Sequence, residues 1–201
     1  TFLLVGLWWL GFAQFTFKKL PDAKNPKSFK KDYLWKGFKE LKQVLNELKK
    51  QTSLKQFLIA FFLLSVGVQT IIYMATIFGA TELGLGTLEL IITVLLIQVI
   101  AIFGAFLFSR LSDKKGNIFS LKVTMVMWIL VSFGAFLLDK NIPNVAMYFY
   151  ILGGVLGLVL GATQSLTRST YSKLLPESDD NTVYFSFYDV TEKIAIVIGT
   201  F

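Results

Sequence analysis

The chain has 201 residues, 54% of them hydrophobic and 15% aromatic, with a net charge of +7 and neither cysteine nor histidine. That composition excludes disulfides, thiolate chemistry, the usual zinc sites and histidine acid–base catalysis, so no catalytic residue, metal site or cofactor is expected. Its charges gather in clusters between long uncharged runs, where a soluble domain would spread them, and the expected class is an all-α integral membrane protein.

Six apolar runs stand out: Phe2–Phe17, Leu54–Phe78, Thr87–Phe108, Ile118–Leu138, Val145–Leu166 and Tyr184–Phe201. All are read as helices, because lipid leaves no backbone group unpaired and alternating barrel strands would not give apolar runs this long. At ~1.5 Å per residue, a run of about 20 crosses a ~30 Å hydrocarbon core. In the first run the positive charges follow the apolar residues, which points to a span and not to a signal peptide. The chain begins with Thr1 and both ends lie inside apolar runs, so it reads as an internal piece of a longer protein with its first and last spans truncated.

Lys18–Ser53 is the longest polar segment, opened by Pro21 and Pro26. Its basic excess beside a membrane run points to anionic lipid headgroups and not to nucleic acid. Within it Leu34, Phe38, Leu41, Leu45 and Leu48 recur at helical spacing between lysines. This predicts an amphipathic helix, lying in the headgroup layer or packed on the ends of the bundle. Ser53 and Gln56 have the spacing of a capping box, which starts the second span near Leu54.

That span carries Gln69 and Tyr73 one turn apart on a face expected to look away from lipid, and the third carries Gln98 near its middle. Each is either a helix-to-helix hydrogen bond or the lining of a polar cavity. Between them Gly79–Gly86 has an acid and no base. The charged turn Ser109–Asn117 follows, with Arg110, Lys114 and Lys115 against the single acid Asp113 and with Gly116. The bias of basic residues toward the cytoplasm places this turn and Lys18–Ser53 inside, and Gly79–Gly86 outside. Asp139–Asn144 is then an outside loop, in which Pro143 ends one helix and Asn144 can cap the next.

The fifth span spaces Gly153, Gly157 and Gly161 four apart, a stripe suited to close helix packing or to a hinge. It continues through Gln164 to Arg168, at the cytoplasmic mouth, and Pro176 ends it. Asp113 is expected to pair with a cationic group or helix N-terminus at that mouth, Arg168 being the nearest basic candidate; otherwise it is a solvated turn charge worth ~0 to 1 kcal/mol. Asp179 and Asp180 read as a helix-start cap. The last span opens with Tyr184, Tyr188, Asp189, Glu192 and Lys193. Charges this deep cost ~2.5 to 3.5 kcal/mol each on insertion scales and are usually functional or paired. Asp189 and Lys193, four apart, can form a salt bridge, which leaves Glu192 as an excess acid.

Leu111-Ser-Asp-Lys-Lys-Gly-Asn117 is similar to the loop motif of the major facilitator superfamily, with Ser109 in place of its first glycine and Asn117 in place of its last basic residue. Gly161-Ala-Thr-Gln-Ser-Leu-Thr-Arg-Ser-Thr-Tyr-Ser-Lys-Leu-Leu-Pro176, then Phe185-Ser-Phe-Tyr-Asp-Val-Thr-Glu-Lys193 and Gly199, resembles a narrower branch, the vacuole effluxer (autophagy-related) family and its bacterial relatives. Asp189 stands where many relatives carry asparagine, and Glu192 where a small residue is usual.

The resemblance implies a major facilitator helical bundle running from about helix six to helix eleven of twelve. Residues 1–17 would end the N-terminal half, 18–53 would form the cytoplasmic central loop, and 54–201 an incomplete C-terminal half. It further implies a secondary active transporter of a small solute, amino acids among them since fungal members export these from the vacuole. Two halves would rock around a central site, with alternating access. The expected substrate-binding or coupling residues are Gln69, Tyr73, Gln98, Gln164, Tyr188, Asp189, Glu192 and Lys193. Arg110, Asp113, Lys114, Gly116 and Arg168 are the expected cytoplasmic gate. The implied partners are the bilayer, the solute, protons and the remainder of the same chain. The location is the cell membrane of a bacterium or the vacuolar membrane of a fungus. The competing readings are a non-transporting scaffold or receptor and, further off, a membrane-embedded transferase.

Overall fold

The computed structural model describes residues 2–20, 37, 39, 42, 45, 51–176 and 182–200. It falls into two units, Thr1–Phe38 and Lys39–Phe201. The first holds α1, Phe2–Lys19, which closes on Lys18 and Lys19. Cations in a last turn complement the helix dipole and the free carbonyls there. The second unit holds α2 (Thr52–Thr81), α3 (Thr87–Lys115), α4 (Asn117–Phe136), α5 (Val145–Leu174) and α6 (Thr182–Thr200). There is no strand among the described residues. The amphipathic helix expected over Leu34–Leu48 lies outside the described residues apart from Gly37, Lys39, Lys42 and Leu45, and Asp179 and Asp180 lie outside them too.

Of the six expected spans, α2, α3, α4 and α5 are long and apolar enough to cross a membrane. The shortest, α4, has 20 residues, which at ~1.5 Å each matches a ~30 Å core. Helix α6 falls short on composition, because Asp189, Glu192 and Lys193 break any membrane-length window in its 19 residues. In α1 the apolar run is two residues shorter than the helix, since its 18 residues include the two closing lysines.

Three local expectations are corrected. The charged turn is not a loop: α3 continues to Lys115 and only Gly116 separates it from α4. Nothing from Ser109 to Lys115 breaks a helix, and Lys114 and Lys115 suit its last turn. Gly116 takes φ 85°, a left-handed value that glycine adopts without a Cβ clash. Second, the Ser53–Gln56 capping box does not form; α2 starts at Thr52 behind Gln51, with no side-chain cap. Third, α4 ends at Phe136, well before Pro143, and the chain turns instead where Asp139 Oδ1 accepts from the Asn141 backbone N–H at 2.7 Å. Asn144 caps α5 with its backbone carbonyl, bonded by Met147 N–H at 2.8 Å. It does so at φ 55° with no side-chain bond, and asparagine is among the few residues that visit this conformation.

The glycine stripe is a packing face. Gly153 meets Thr93, Gly157 meets the Ile97 carbonyl and Gly161 meets the Ala101 carbonyl, while Gly104 of α3 meets the Leu158 carbonyl of α5. Both sets of numbers rise together, so α3 and α5 run parallel with their backbones in contact. Without a hydrophobic drive between helices in lipid, this close approach supplies much of the attraction.

Helices α2 and α6 are also parallel. Phe61 stacks on Tyr188 at 4.2 Å and Thr70 Oγ1 donates to the Gly199 carbonyl at 3.0 Å. The connections 82–86 and 137–144 therefore lie at one end of the bundle, and Gly116 and Pro176 at the other. Hydroxyls inside the bundle turn back on their own helices: Ser120 donates to the Gly116 carbonyl at 3.1 Å and Thr170 to the Leu166 carbonyl at 2.6 Å. This satisfies them where water is scarce.

Candidate functional site

A polar groove of about 260 Å³ opens between α2, α5 and α6. Its floor is aromatic. Phe61 and Tyr188 stack there, and the fully buried Tyr171 lies beside Tyr188 with centroids 5.0 Å apart. Two bonds clamp α6 antiparallel to α5: the hydroxyls of Thr167 and Tyr188 share a hydrogen bond at 3.1 Å, and Tyr171 Oη donates to the Tyr184 carbonyl at 2.7 Å. Arg168 Nη2 lies 3.7 Å from Asp189 Oδ1.

The walls carry Gln69 from α2, Gln164 and Arg168 from α5, and Glu192 from α6. The side chains of these four neither donate nor accept a hydrogen bond among the described residues. The groove thus presents guanidinium and amide donors with a carboxylate acceptor, set between apolar side chains such as Val68 and Ile196. Such a surface can hold a small polar or zwitterionic solute.

Of the residues expected at the site, Gln69, Gln164, Tyr188 and Glu192 converge here, and Asp189 joins through Arg168. Three do not converge. Tyr73 is 46% exposed and lies beyond the groove, whose α2 wall follows Ser65, Gln69 and Ile72. Gln98 lines a separate, mostly apolar cavity of about 580 Å³ among α2, α3, α4 and α5. Lys193 faces outward beside Val190 and Val197. The expected Asp189–Lys193 bridge is not made, since Asp189 turns to Arg168.

The gate pairing of Asp113 with Arg168 is also absent. Arg168 is drawn toward α6, where its guanidinium lies 5.8 Å from the Phe185 ring and 6.0 Å from that of Tyr188. Asp113 is exposed at the end of α3 with Lys114. Arg110 and Lys115 cover the rings of Phe106 and Phe119, at 4.2 and 5.0 Å.

At that end a network unmarked by the sequence reading ties three helices. Asn117 accepts from Ser112 Oγ and from Lys173 Nζ at 2.8 Å, and its Nδ2 donates to Ser169 at 3.0 Å and Thr170 at 3.2 Å. The available signal was Asn117 itself, standing where the loop motif has a basic residue. Deeper, Trp128 Nε1 donates to Thr163 Oγ1 at 3.0 Å, fixing α4 to α5.

A family model described as "Vacuole effluxer Atg22 like" matches residues 1–201. The chain is 28% identical over 201 residues to the uncharacterized MFS-type transporter YxiO of Bacillus subtilis (strain 168), covering 99% of this chain and 45% of that protein. It is 28% identical over 221 residues to autophagy-related protein 22 of Vanderwaltozyma polyspora, covering 98% and 42%. Against autophagy-related protein 22 of Saccharomyces cerevisiae (strain S288c) it is 29% identical over 178 residues, covering 85% and 33%. The chain therefore spans less than half the length of these relatives. No solved structure matches it.

Proposed function

This chain belongs to the vacuole effluxer Atg22-like family, and we propose that it supplies about helices six to eleven of a secondary transporter that moves a small solute by alternating access. The observation that carries this reading is the groove, where Gln69, Gln164, Arg168 and Glu192 keep their hydrogen-bonding capacity unspent between apolar helices. Charged side chains at membrane depth cost ~2.5 to 3.5 kcal/mol each and typically mark a solute or proton pathway. A lone acid–base pair would be enough to orient a helix. Here a further acid, Glu192, faces the groove without an ion partner among the described residues.

Amino acids are the first solutes to try, because a guanidinium and a carboxylate across one groove complement the two charges of a zwitterion. Glu192 would take the ammonium group or carry a proton. By the bias of basic residues, Lys18–Ser53 and Arg110–Asn117 face the cytoplasm and Gly79–Gly86 faces out; counting spans from there places Asp139–Asn144 outside and Arg168–Val183 inside. The membrane would be the cell membrane in a bacterium or the vacuolar membrane in a fungus. The remaining helices of the full protein would close the groove's open side, as repeats do around a midplane site.

The test is counterflow by the full chain in proteoliposomes preloaded with unlabelled amino acids. Saturable entry of at least one labelled amino acid is expected. Entry no faster than into protein-free liposomes for the whole panel would refute the reading.

A further inference from the structure

Resting on the solute groove proposed above, we infer that Arg168 is the residue that binds the solute's anionic group and that Asp189 is a built-in placeholder, holding the guanidinium while the groove is empty. The geometry of the pair carries this. Its 3.7 Å separation exceeds the ~2.7 to 2.9 Å of a charge-assisted hydrogen bond, and only one nitrogen faces one oxygen, where a mature arginine–carboxylate pair is bidentate. Both side chains are half exposed or more, at 60% and 50%. The Arg168 guanidinium donates no hydrogen bond among the described residues, so its fork of five N–H donors is unspent.

The surroundings aim that fork. The Phe185 and Tyr188 rings lie within 6.0 Å of the guanidinium, near enough to bias its plane by cation–π attraction. Tyr188 is itself held by Thr167, the neighbour of Arg168. The groove beside it offers amides, Gln69 and Gln164, that can donate to the same anion. Asp189 faces the outer surface with Val190 and Lys193, whereas Glu192 faces the groove. A solute carboxylate entering the groove would displace Asp189 from Arg168 and leave Glu192 for a cationic or donor group. Asp189 then has Lys193 one turn away, the partner it can take up when Arg168 is engaged.

The placeholder makes a prediction that a structural ion pair does not. In Asp189→Asn the competitor is gone, so carboxylate solutes should bind more tightly, by up to about fivefold for an exposed pair worth up to ~1 kcal/mol. In Arg168→Gln the preference for a carboxylate over its amide should fall by about tenfold or more, the worth of a hydrogen bond to a charged group. Arg168→Lys should retain part of that preference.

The assay is ligand-dependent thermal stabilisation of the purified full chain with matched sets of amino acids, their amides and their decarboxylated amines, alongside counterflow of the same compounds. Unliganded melting midpoints show whether each variant is folded. If a variant fails that check, the charge-preserving Asp189→Glu and Arg168→Lys carry the comparison. Carboxylates that stabilise the protein but are not exchanged would sink transport and leave this inference standing. Amines and amides exchanged as well as carboxylates would do the reverse. Weaker carboxylate binding in Asp189→Asn overturns the placeholder, as does unchanged binding, and a panel that neither binds nor exchanges overturns both.

Discussion

Replacing Gly157 by alanine should loosen the α3–α5 pair, and the structure gives the size of the effect. A Cβ at Gly157 would sit 2.5 Å from the Ile97 carbonyl oxygen and 2.9 Å from Ile97 Cα, whereas ordinary contact begins at 3.4 Å. The obstacle is backbone, so no rotamer change relieves it, and the two helices must part by a little under 1 Å. That motion also opens the neighbouring contacts of Gly161 with Ala101 and of Gly104 with Leu158, which are closer still. Dispersion falls steeply across such a gap, and overpacking a fitted interior costs ~1 to 3 kcal/mol. Gly67, in the middle of α2, is the internal control, because a Cβ there meets nothing within 4 Å. Alanine at that site should be neutral or stabilise the helix by up to ~1 kcal/mol. Thermal unfolding of the full chain in detergent would read both, with the midpoint lowered in Gly157→Ala and unchanged or raised in Gly67→Ala. Equal midpoints in the two variants would refute the backbone-contact argument.

Asn117→Ala removes the hub that joins Ser112, Ser169, Thr170 and Lys173, and should cost ~1 to 3 kcal/mol because the partners lose bonds in a buried site. Asn117→Asp, which can still accept from Lys173, should lose less; a wild-type midpoint in Asn117→Ala contradicts the hub role. For topology, Thr81→Cys and Lys114→Cys each place a thiol at an exposed position and on opposite ends of the bundle. An impermeant reagent should label the first in intact bacterial cells and the second only after permeabilisation, and equal labelling of both is incompatible with the assigned sides. For coupling, Glu192→Gln should abolish proton-driven uptake while counterflow persists. A mutant with the wild-type rate and pH profile would take Glu192 out of the mechanism.

What the sequence could and could not disclose follows from the range of each interaction. Apolar run length is local, and four of the expected spans have that length and composition in the fold. The glycine spacing at 153, 157 and 161 was readable as a packing face, because a four-residue repeat of missing side chains says what a helix offers, though not that Thr93, Ile97 and Ala101 would meet it. A charge cluster does not by itself mark a turn. Seven residues from Ser109 to Lys115 look like a loop in a membrane chain, yet helices carry cations well at their C-termini, and Gly116 alone makes the break.

Gln69, Gln164, Tyr188 and Glu192, polar residues inside apolar runs, line the groove. The same pattern also takes in Tyr73 and Gln98, because spacing within one helix cannot say which neighbour that face meets. The ion pairs show the limit most clearly. From sequence alone the visible partners of Asp189 were those on its own helix, hence Lys193. Its actual partner, Arg168, is fixed by an antiparallel register between α5 and α6 that depends on Thr167 finding Tyr188 and Tyr171 finding the Tyr184 carbonyl. Those bonds are contacts between helices whose connection lies outside the described residues. A charge pattern on one helix could raise the possibility of a charged centre in α6, but only the packed bundle divides it into an acid facing the groove, an acid facing an arginine and a lysine facing out.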